Sequence, residues 1–180
     1  MLTPEPARLP ILSLIGAMAV GDAIRTLSGL TVSVKWPNDL LLQNRKVAGL
    51  LVETISRPRQ PPWALLGLGL NLFQGSEDFP GDLKTSAVSL RQASGRRIPR
   101  AQALAAFLEC LQQRLHQSPD EILGDIRVSL VQLGRTATVR VGHETLTGIA
   151  EKMDEAGRLH LRLPSGEVQV LSSGETDFPA

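Results

Sequence analysis

The sequence predicts an α+β protein: a mixed or antiparallel sheet with packed helices over residues 1–132, followed by a small β-barrel over residues 133–180. Three patterns predict it. Residues 31–72 read as an antiparallel meander, with period-two alternation broken by short polar stretches. Apolar residues recur at helical spacing near the N-terminus and again over residues 101–116. From Leu133 the texture changes to short alternating strands at near-regular intervals, which indicates a small barrel.

Taken in order, the apolar run over residues 9–20 admits two readings. Ala17-Met18-Ala19 has the small-residue spacing of a signal cleavage site, but Glu5 stands where a basic region is needed, Pro10 opens the run, and the amphipathic pattern continues through Ile24 and Leu27. The charges at Asp22 and Arg25 make the run too short to span a bilayer. A buried helix starting near Pro10 accounts for it, and Gly16, Ala17, Ala19 and Gly21 would let that helix lie close against a sheet.

Thr31-Val32-Ser33-Val34-Lys35 alternates as a half-buried strand, with Val32 and Val34 inward and Lys35 at its end. Pro37 keeps Trp36 out of the helical region, and Asn38-Asp39 is turn chemistry, so the chain doubles back. Residues 40–42 and 47–54 form strands flanking a loop at residues 43–46, and a second hairpin loop covers residues 57–62. Over residues 63–72, Leu66, Leu68, Leu70 and Leu72 share one parity while Gly67, Gly69 and Asn71 share the other. A glycine within a strand marks a bulge, a packing contact, or the close approach of a ligand or backbone. Gly49 adds a third gap on that cleared face if the registers agree.

Residues 74–86 and 92–99 lack periodicity and read as loops, the second made cationic by Arg91, Arg96, Arg97 and Arg100. Leu104, Phe107, Leu108, Leu111 and Leu115 define an amphipathic helix that also carries Cys110 at an apolar position, as a core thiol. Ser118-Pro119-Asp120-Glu121 is a helix start with a capping box, running to about Ser129. Strands at 136–141, 144–153, 158–163 and 167–171 complete the barrel.

A chain of 180 residues with 42% hydrophobic and 21% charged residues buries a substantial core. Its net charge of +1 offers no field for nucleic acid or an anionic membrane, and the absence of tyrosine leaves little for stacking single strands. A single cysteine excludes an internal disulfide framework and fits a reducing, cytoplasmic setting. The three histidines are far apart and suggest no metal cage, and no phosphate loop or nucleophile elbow occurs.

Four blocks carry a resemblance: Lys35-Trp36-Pro37-Asn38-Asp39, Arg45-Lys46-Val47-Ala48-Gly49-Leu50-Leu51-Val52-Glu53, Gly67-Leu68-Gly69-Leu70-Asn71, and Ala87-Val88-Ser89-Leu90. In order and spacing the sequence resembles the second half of the catalytic domain of biotin protein ligases, and the region from Leu133 is similar to their C-terminal barrel, so that the resemblance covers roughly Leu9 to Phe178. The resemblance implies ATP-dependent activation of biotin to biotinyl-5′-AMP, with magnesium carried on the ATP, and transfer to a lysine of a biotin carboxyl carrier protein. It implies that Lys35 contacts the biotin carboxyl group and the adenylate phosphate. It further assigns Leu40, Gly49, Gly67, Gly69 and Asn71 to the biotin and adenylate site.

Family members have, upstream, a Ser-Thr-Asn segment and a glycine- and arginine-rich loop that closes over the ligand, and this sequence begins after both. The resemblance therefore implies a catalytic domain truncated at its front, with activity reduced by orders of magnitude and an exposed sheet edge that favours homo-oligomers. Two other functions share these residues: a lipoate ligase, which also uses a lysine here, and a non-catalytic carrier-binding or regulatory chain.

Overall fold

A computed structural model of the chain describes residues 5–177. The outer ends of the two expected domains, residues 1–4 and 178–180, and with them Phe178, the end of the family resemblance, lie outside the described residues.

Pro10 sits in a 3-10 turn, Pro6–Ile11, from which helix α1, Leu12–Ser28, continues until Gly29 caps it at φ 78°. Because the turn extends the helix, the span Arg8–Ser28 reaches 21 residues and is long and apolar enough to cross a membrane, which corrects the expectation that it is too short. Within the fold, however, 56% of that window is buried. Leu12, Leu14, Ile15, Val20 and Ile24 stand in the core. The small residues act as predicted: a Cβ on Gly16 would meet Leu50 Cδ2 at 2.5 Å, and one on Gly21 would meet Val32 Cγ2 at 2.8 Å.

Four antiparallel strands follow in sequence order: β1 Ser33–Lys35, β2 Asp39–Leu42, β3 Arg45–Arg57 and β4 Gln60–Leu70. β1 is shorter than the alternation suggests, because Val32 is taken up by packing on α1 rather than by a ladder. The other strands are longer. The loop at 43–46 contracts to Gln43-Asn44, both at positive φ (53° and 60°), the geometry that suits a two-residue hairpin. The loop at 57–62 contracts to Pro58-Arg59, with Arg59 at φ 57°.

The expected loop at 74–86 contains a 3-10 turn at Ser76–Asp78 and the short helix α2, Leu83–Ser86. Residues 92–99 begin inside helix α3, Leu90–Ser94, where Ser89 caps the helix by accepting from Gln92 N–H at 3.1 Å, so only the part from Gly95 onward is loop. Helices α4, Arg100–His116, and α5, Pro119–Ser129, match the spacing and the capping box read from the sequence. Arg114, almost fully buried on α4, ties three helices together through Asp22 on α1 at 2.6 Å and Asp125 on α5. Between the leucine face of β4 and α4 an apolar groove of about 500 Å³ stays open, rimmed by Leu65, Leu104 and Leu108.

The C-terminal strands are β5 Thr136–Val141, β6 Glu144–Met153, β7 Leu159–Arg162, β8 Val168–Leu171 and β9 Glu175–Asp177, in the spatial order β8-β7-β6-β5-β9. All pairings are antiparallel. Among the described residues β8 and β9 form the two ends of this sheet, without the pairing between them that would close a barrel. Short strands at regular spacing are common to a curled open sheet and a closed barrel, which is why the spacing did not separate them.

Asp154 organises the turn between β6 and β7, accepting from the N–H groups of Ala156 and Arg158 at 3.0 Å each, from Arg158 Nε at 2.8 Å, and pairing with His160 Nε2 at 3.1 Å. Burial opposes its ionisation, but the hydrogen bonds from His160, Arg158 and Ala156 outweigh burial and hold its carboxyl at about 2, below its ordinary 3.8. A carboxyl lowered on folding contributes stability above its unfolded value and loses it as pH falls through its folded value. Asp154→Asn should therefore lower stability by about 1–2 kcal/mol at neutral pH. The deficit should shrink between about pH 4 and pH 2 in chemical denaturation, and a deficit independent of pH would contradict the assignment.

Two glycines should respond oppositely to alanine. A Cβ on Gly148 of β6 would lie 2.3 Å from the Arg162 carbonyl oxygen, so Gly148→Ala should cost about 1–3 kcal/mol. Gly124, exposed on α5 with nothing within 4 Å of such an atom, should gain roughly 0.5–1 kcal/mol as alanine. Thermal melts followed by circular dichroism check both signs.

Candidate functional site

Strand register places the candidate residues. Lys35 pairs with Asp39, Asp39 with Gly49, and Gly49 with Gly69, a continuous row across all four strands. At ~4.8 Å per strand such a row spans ~14 Å, and its members share one face of the sheet. The neighbouring row, Val34, Leu40, Ala48, belongs to the opposite face and is buried. Lys35 and the glycines thus border the same cavity, of about 1230 Å³, together with Asp39, Lys46 and Asn71. Arg135, just before β5, and Asp177 of β9 complete its wall.

The turn that carries Lys35 is held from outside the first sheet. Trp36 is 1% exposed, and its indole N–H donates to the Gly157 carbonyl at 2.8 Å. Its backbone N–H donates to Gln132 Oε1 at 3.2 Å, and its carbonyl accepts from Gln132 Nε2 at 3.3 Å and from Thr176 Oγ1 at 2.6 Å. Val131 N–H donates to the Val34 carbonyl at 3.1 Å. On the other side, Asn38 reaches β3: its side-chain amide donates to the Leu50 carbonyl, and its own carbonyl accepts from Leu50 N–H at 3.0 Å. Lys35 is left with one freedom, its long side chain, 23% exposed, whose Nζ lies 3.7 Å from Asp177 Oδ1.

Beneath it, the floor is of two kinds. A Cβ on Gly67 or Gly69 would meet no atom closer than 3.8 Å, so both positions are open toward the cavity. Gly49 pairs with Gly69, as the parity suggested, but its gap is filled: a Cβ there would lie 3.0 Å from Asp39 Oδ1 and 3.4 Å from Lys46 Nζ. Asp39 and Lys46 form an ion pair of 2.6 Å across that space. Asn71 closes the far end of the floor. Its amide donates to the carbonyls of Lys46 at 3.4 Å and Val88 at 3.3 Å, and its backbone joins Val47 and Leu90.

Of the residues singled out from the sequence, Lys35, Gly49, Gly67, Gly69 and Asn71 come together at this cavity. Leu40 does not: it is fully buried on the core face, 3.8 Å from where a Gly21 Cβ would stand, because in β2 it has the parity opposite to Asp39 and Leu41. The loop arginines point elsewhere, Arg96 to the Leu27 carbonyl at 3.2 Å and Arg97 over the Phe73 ring at 5.7 Å. Cys110 packs against the core in a half-buried position, and burial first, then Asp22 and Glu109, push its thiol up. Lys46, Arg135 and Asp177 were missed as cavity residues. The last two arrive from a separate sheet, and Lys46 carries a parity that, counted evenly from Ala48 and Leu50, aims it into the core.

Comparison with known proteins places the chain in a family. Residues 3–71 match the model of the Biotin/lipoate A/B protein ligase family, and residues 133–178 match that of the Biotin protein ligase C terminal domain. The biotin--[acetyl-CoA-carboxylase] ligase of Paracoccus denitrificans is 30% identical over 177 residues, covering 93% of this chain and 72% of that protein. The bifunctional ligase/repressor BirA of Bacillus spizizenii is 31% identical over 92% of this chain and 52% of its own length. The chain thus spans about half the length of the first curated relatives it matches. The crystal structure of the biotin protein ligase from Aquifex aeolicus superposes with a TM-score of 0.82 at 26% identity, covering 99% of this chain and 78% of that one. The same enzyme in complex with biotin and ATP superposes at 0.77, covering 95% and 72%. A mixed α+β fold with antiparallel sheets is common to all of these structures and this chain, which belongs to the biotin protein ligase family.

Proposed function

We propose that this chain carries the chemistry of a biotin protein ligase: it joins biotin to ATP, releasing pyrophosphate and leaving biotinyl-5′-AMP, and passes biotin to a lysine of a biotin carboxyl carrier protein. One observation carries the reading. A pinned lysine and an open glycine floor share a single face of the sheet within one cavity.

The first step brings two anions together, the biotin carboxylate and the α-phosphate. A cation held in a partly screened cavity offsets their repulsion and the charge that develops on phosphorus, more strongly than it would in water. Lys35 borders that cavity on a turn fixed by hydrogen bonds on both sides, so that on ligand binding only its side chain must turn from Asp177. Gly67 and Gly69 leave space for the apolar vitamin rings to lie on backbone, and Asn71 ends the floor at the nucleotide side. Gly49 serves this site through the ion pair that it admits. Among the described residues no three His, Cys, Asp or Glu side chains are grouped to hold a metal, so magnesium would arrive on the phosphates of ATP, keeping water as its other ligands.

In the second step the carrier lysine's amine attacks the mixed-anhydride carbonyl, AMP departs, and the amine's proton passes to solvent. No side chain of the ligase is covalently altered. Residues 1–132 act as the catalytic part and residues 133–180 as a curled, barrel-like C-terminal part. The free thiol of Cys110 suits the cytoplasm, where such carriers are modified, and the apolar rim of Leu65, Leu104 and Leu108 supports self-association.

Pyrophosphate exchange separates the readings. Biotin should support exchange at least roughly tenfold better than lipoate, since the site must select the fused bicyclic ring. Preference for lipoate would replace the reading by its relative, and carrier binding without exchange would make the chain a non-catalytic binder. Lys35→Met should reduce exchange by about a hundredfold or more with an unchanged melting temperature. Gly67→Val should raise the biotin KM by roughly tenfold or more, by filling the floor with a side chain. Normal exchange in both variants would contradict the assignment of the site.

A further inference from the structure

The sheet contains one irregularity at the cavity, and it concerns Lys46. Between β2 and β3 the register shifts after Leu40: Leu40 pairs with Ala48, but Leu41 pairs with Lys46, leaving Val47 as an extra residue. A bulge of this kind re-aims the side chains that follow it. With regular alternation Lys46 would share the parity of Ala48 and Leu50 and point into the core. With the bulge it faces the cavity beside Leu41, and Val47 takes the core position, fully buried. Burying a lone lysine is costly, so the bulge resolves a conflict that the sequence contains.

The position so obtained is specific. Lys46 Nζ is fixed 2.6 Å from Asp39 Oδ1 in the space left by Gly49, while the residue's carbonyl accepts from Val88 N–H at 2.9 Å and from the Asn71 amide. The ammonium group therefore stands over Gly49, in the row of Asp39 and Gly69, and the side chain reaches it from a backbone held at the Asn71 end of the floor. Lys35 stands across the row, on the other side of Asp39. The cavity has an apolar end at Leu51 and Gly67 and a polar end at Asn71, Gln74 and Ser86, with the Lys46 side chain running from that end toward Gly49. Lys46 is half exposed (51%), so one of its N–H groups can turn to a ligand while another stays on Asp39.

We propose that Lys46 is a second phosphate-binding cation of the site, turned onto the cavity face by the bulge at Val47 and held by Asp39, and that it contacts the polyphosphate of ATP rather than the biotin carboxylate. The inference rests on the reading of the cavity as a biotin and ATP site. Two lysines on either side of Asp39 divide the anions: Lys35 takes the junction of carboxylate and α-phosphate, and Lys46 takes the outer phosphates that leave as pyrophosphate. Asp39 keeps the Lys46 side chain extended along the floor instead of free in solvent.

Titration calorimetry with the full chain tests this, using ATP and biotin as separate probes. Lys46→Met should weaken ATP binding by about tenfold, the worth of one charge-assisted hydrogen bond, and leave biotin within about twofold. Lys46→Arg should restore most of the ATP affinity. The ATP affinity of the wild type should fall with added salt more steeply than that of Lys46→Met. Unchanged ATP binding in Lys46→Met overturns the proposal. So does a parallel loss of both ligands with a lowered melting temperature, since that marks a purely structural ion pair. Absence of binding of either probe to the wild type overturns the reading of the cavity itself, and is distinguished by being seen before any substitution is made.

Discussion

The side-chain amide of Gln132 gives Trp36 what a neighbouring strand would give it, one acceptor for its N–H and one donor for its carbonyl. The position of Lys35 depends on that exchange. β1 ends at Lys35, and the next residue is fully buried, so its backbone groups would otherwise be unpaired at a cost of about 1–3 kcal/mol each. Thr176 adds a further donor to the same carbonyl, and Gly157 receives the indole N–H. The Gly157 turn is itself shaped by Asp154, so a carboxylate on the C-terminal sheet helps to orient a lysine on the first one.

The two sheets therefore divide the work. The first supplies register, which sets a cation, a carboxylate and two glycines in one cross-strand row. The second supplies the clamp on the turn and part of the cavity wall, through Arg135 and Asp177. The glycines have different functions in this arrangement. Gly67 and Gly69 leave the floor bare, whereas Gly49 makes room for Asp39 and Lys46. The lining thus sets two lysines, each beside a carboxylate, Lys35 with Asp177 and Lys46 with Asp39, next to a surface of bare backbone.

Much of this was legible in the sequence where the signal is local. The capping box of Ser118 and Glu121, the helical spacing from Leu104 to Leu115 and the alternation of leucine and glycine in β4 each depend on residues within one element. The strand end at Lys35 and the cleared face of Gly67 and Gly69 were read in the same way, the resemblance joined Asn71 to them, and all four line one cavity. What escaped was non-local. The bulge at Val47 depends on how β2 meets β3, and it decides the side to which Lys46 points. The clamp on Trp36 joins residues about a hundred positions apart. Leu40 lies off the cavity for a simpler reason: within β2 the cavity face belongs to Asp39 and Leu41, and membership of a motif does not fix parity. The paired strands outgrew their predicted loops because a two-residue turn at positive φ needs no glycine when Gln43, Asn44 and Arg59 can adopt it.

The proposed site has one geometric requirement: the Lys35 side chain, free to move on its pinned turn, and the bare floor of Gly67 and Gly69 must hold one ligand between them. A crystal structure of the chain with a non-hydrolysable biotinyl-adenylate analogue tests it most directly. The biotin rings should lie in van der Waals contact with the backbone of Gly67 and Gly69, with Lys35 Nζ within hydrogen-bond distance of the ligand's phosphoryl or carboxyl-derived oxygen. An analogue bound on the leucine face of β4, or one in the cavity with Lys35 still turned to Asp177, would contradict it.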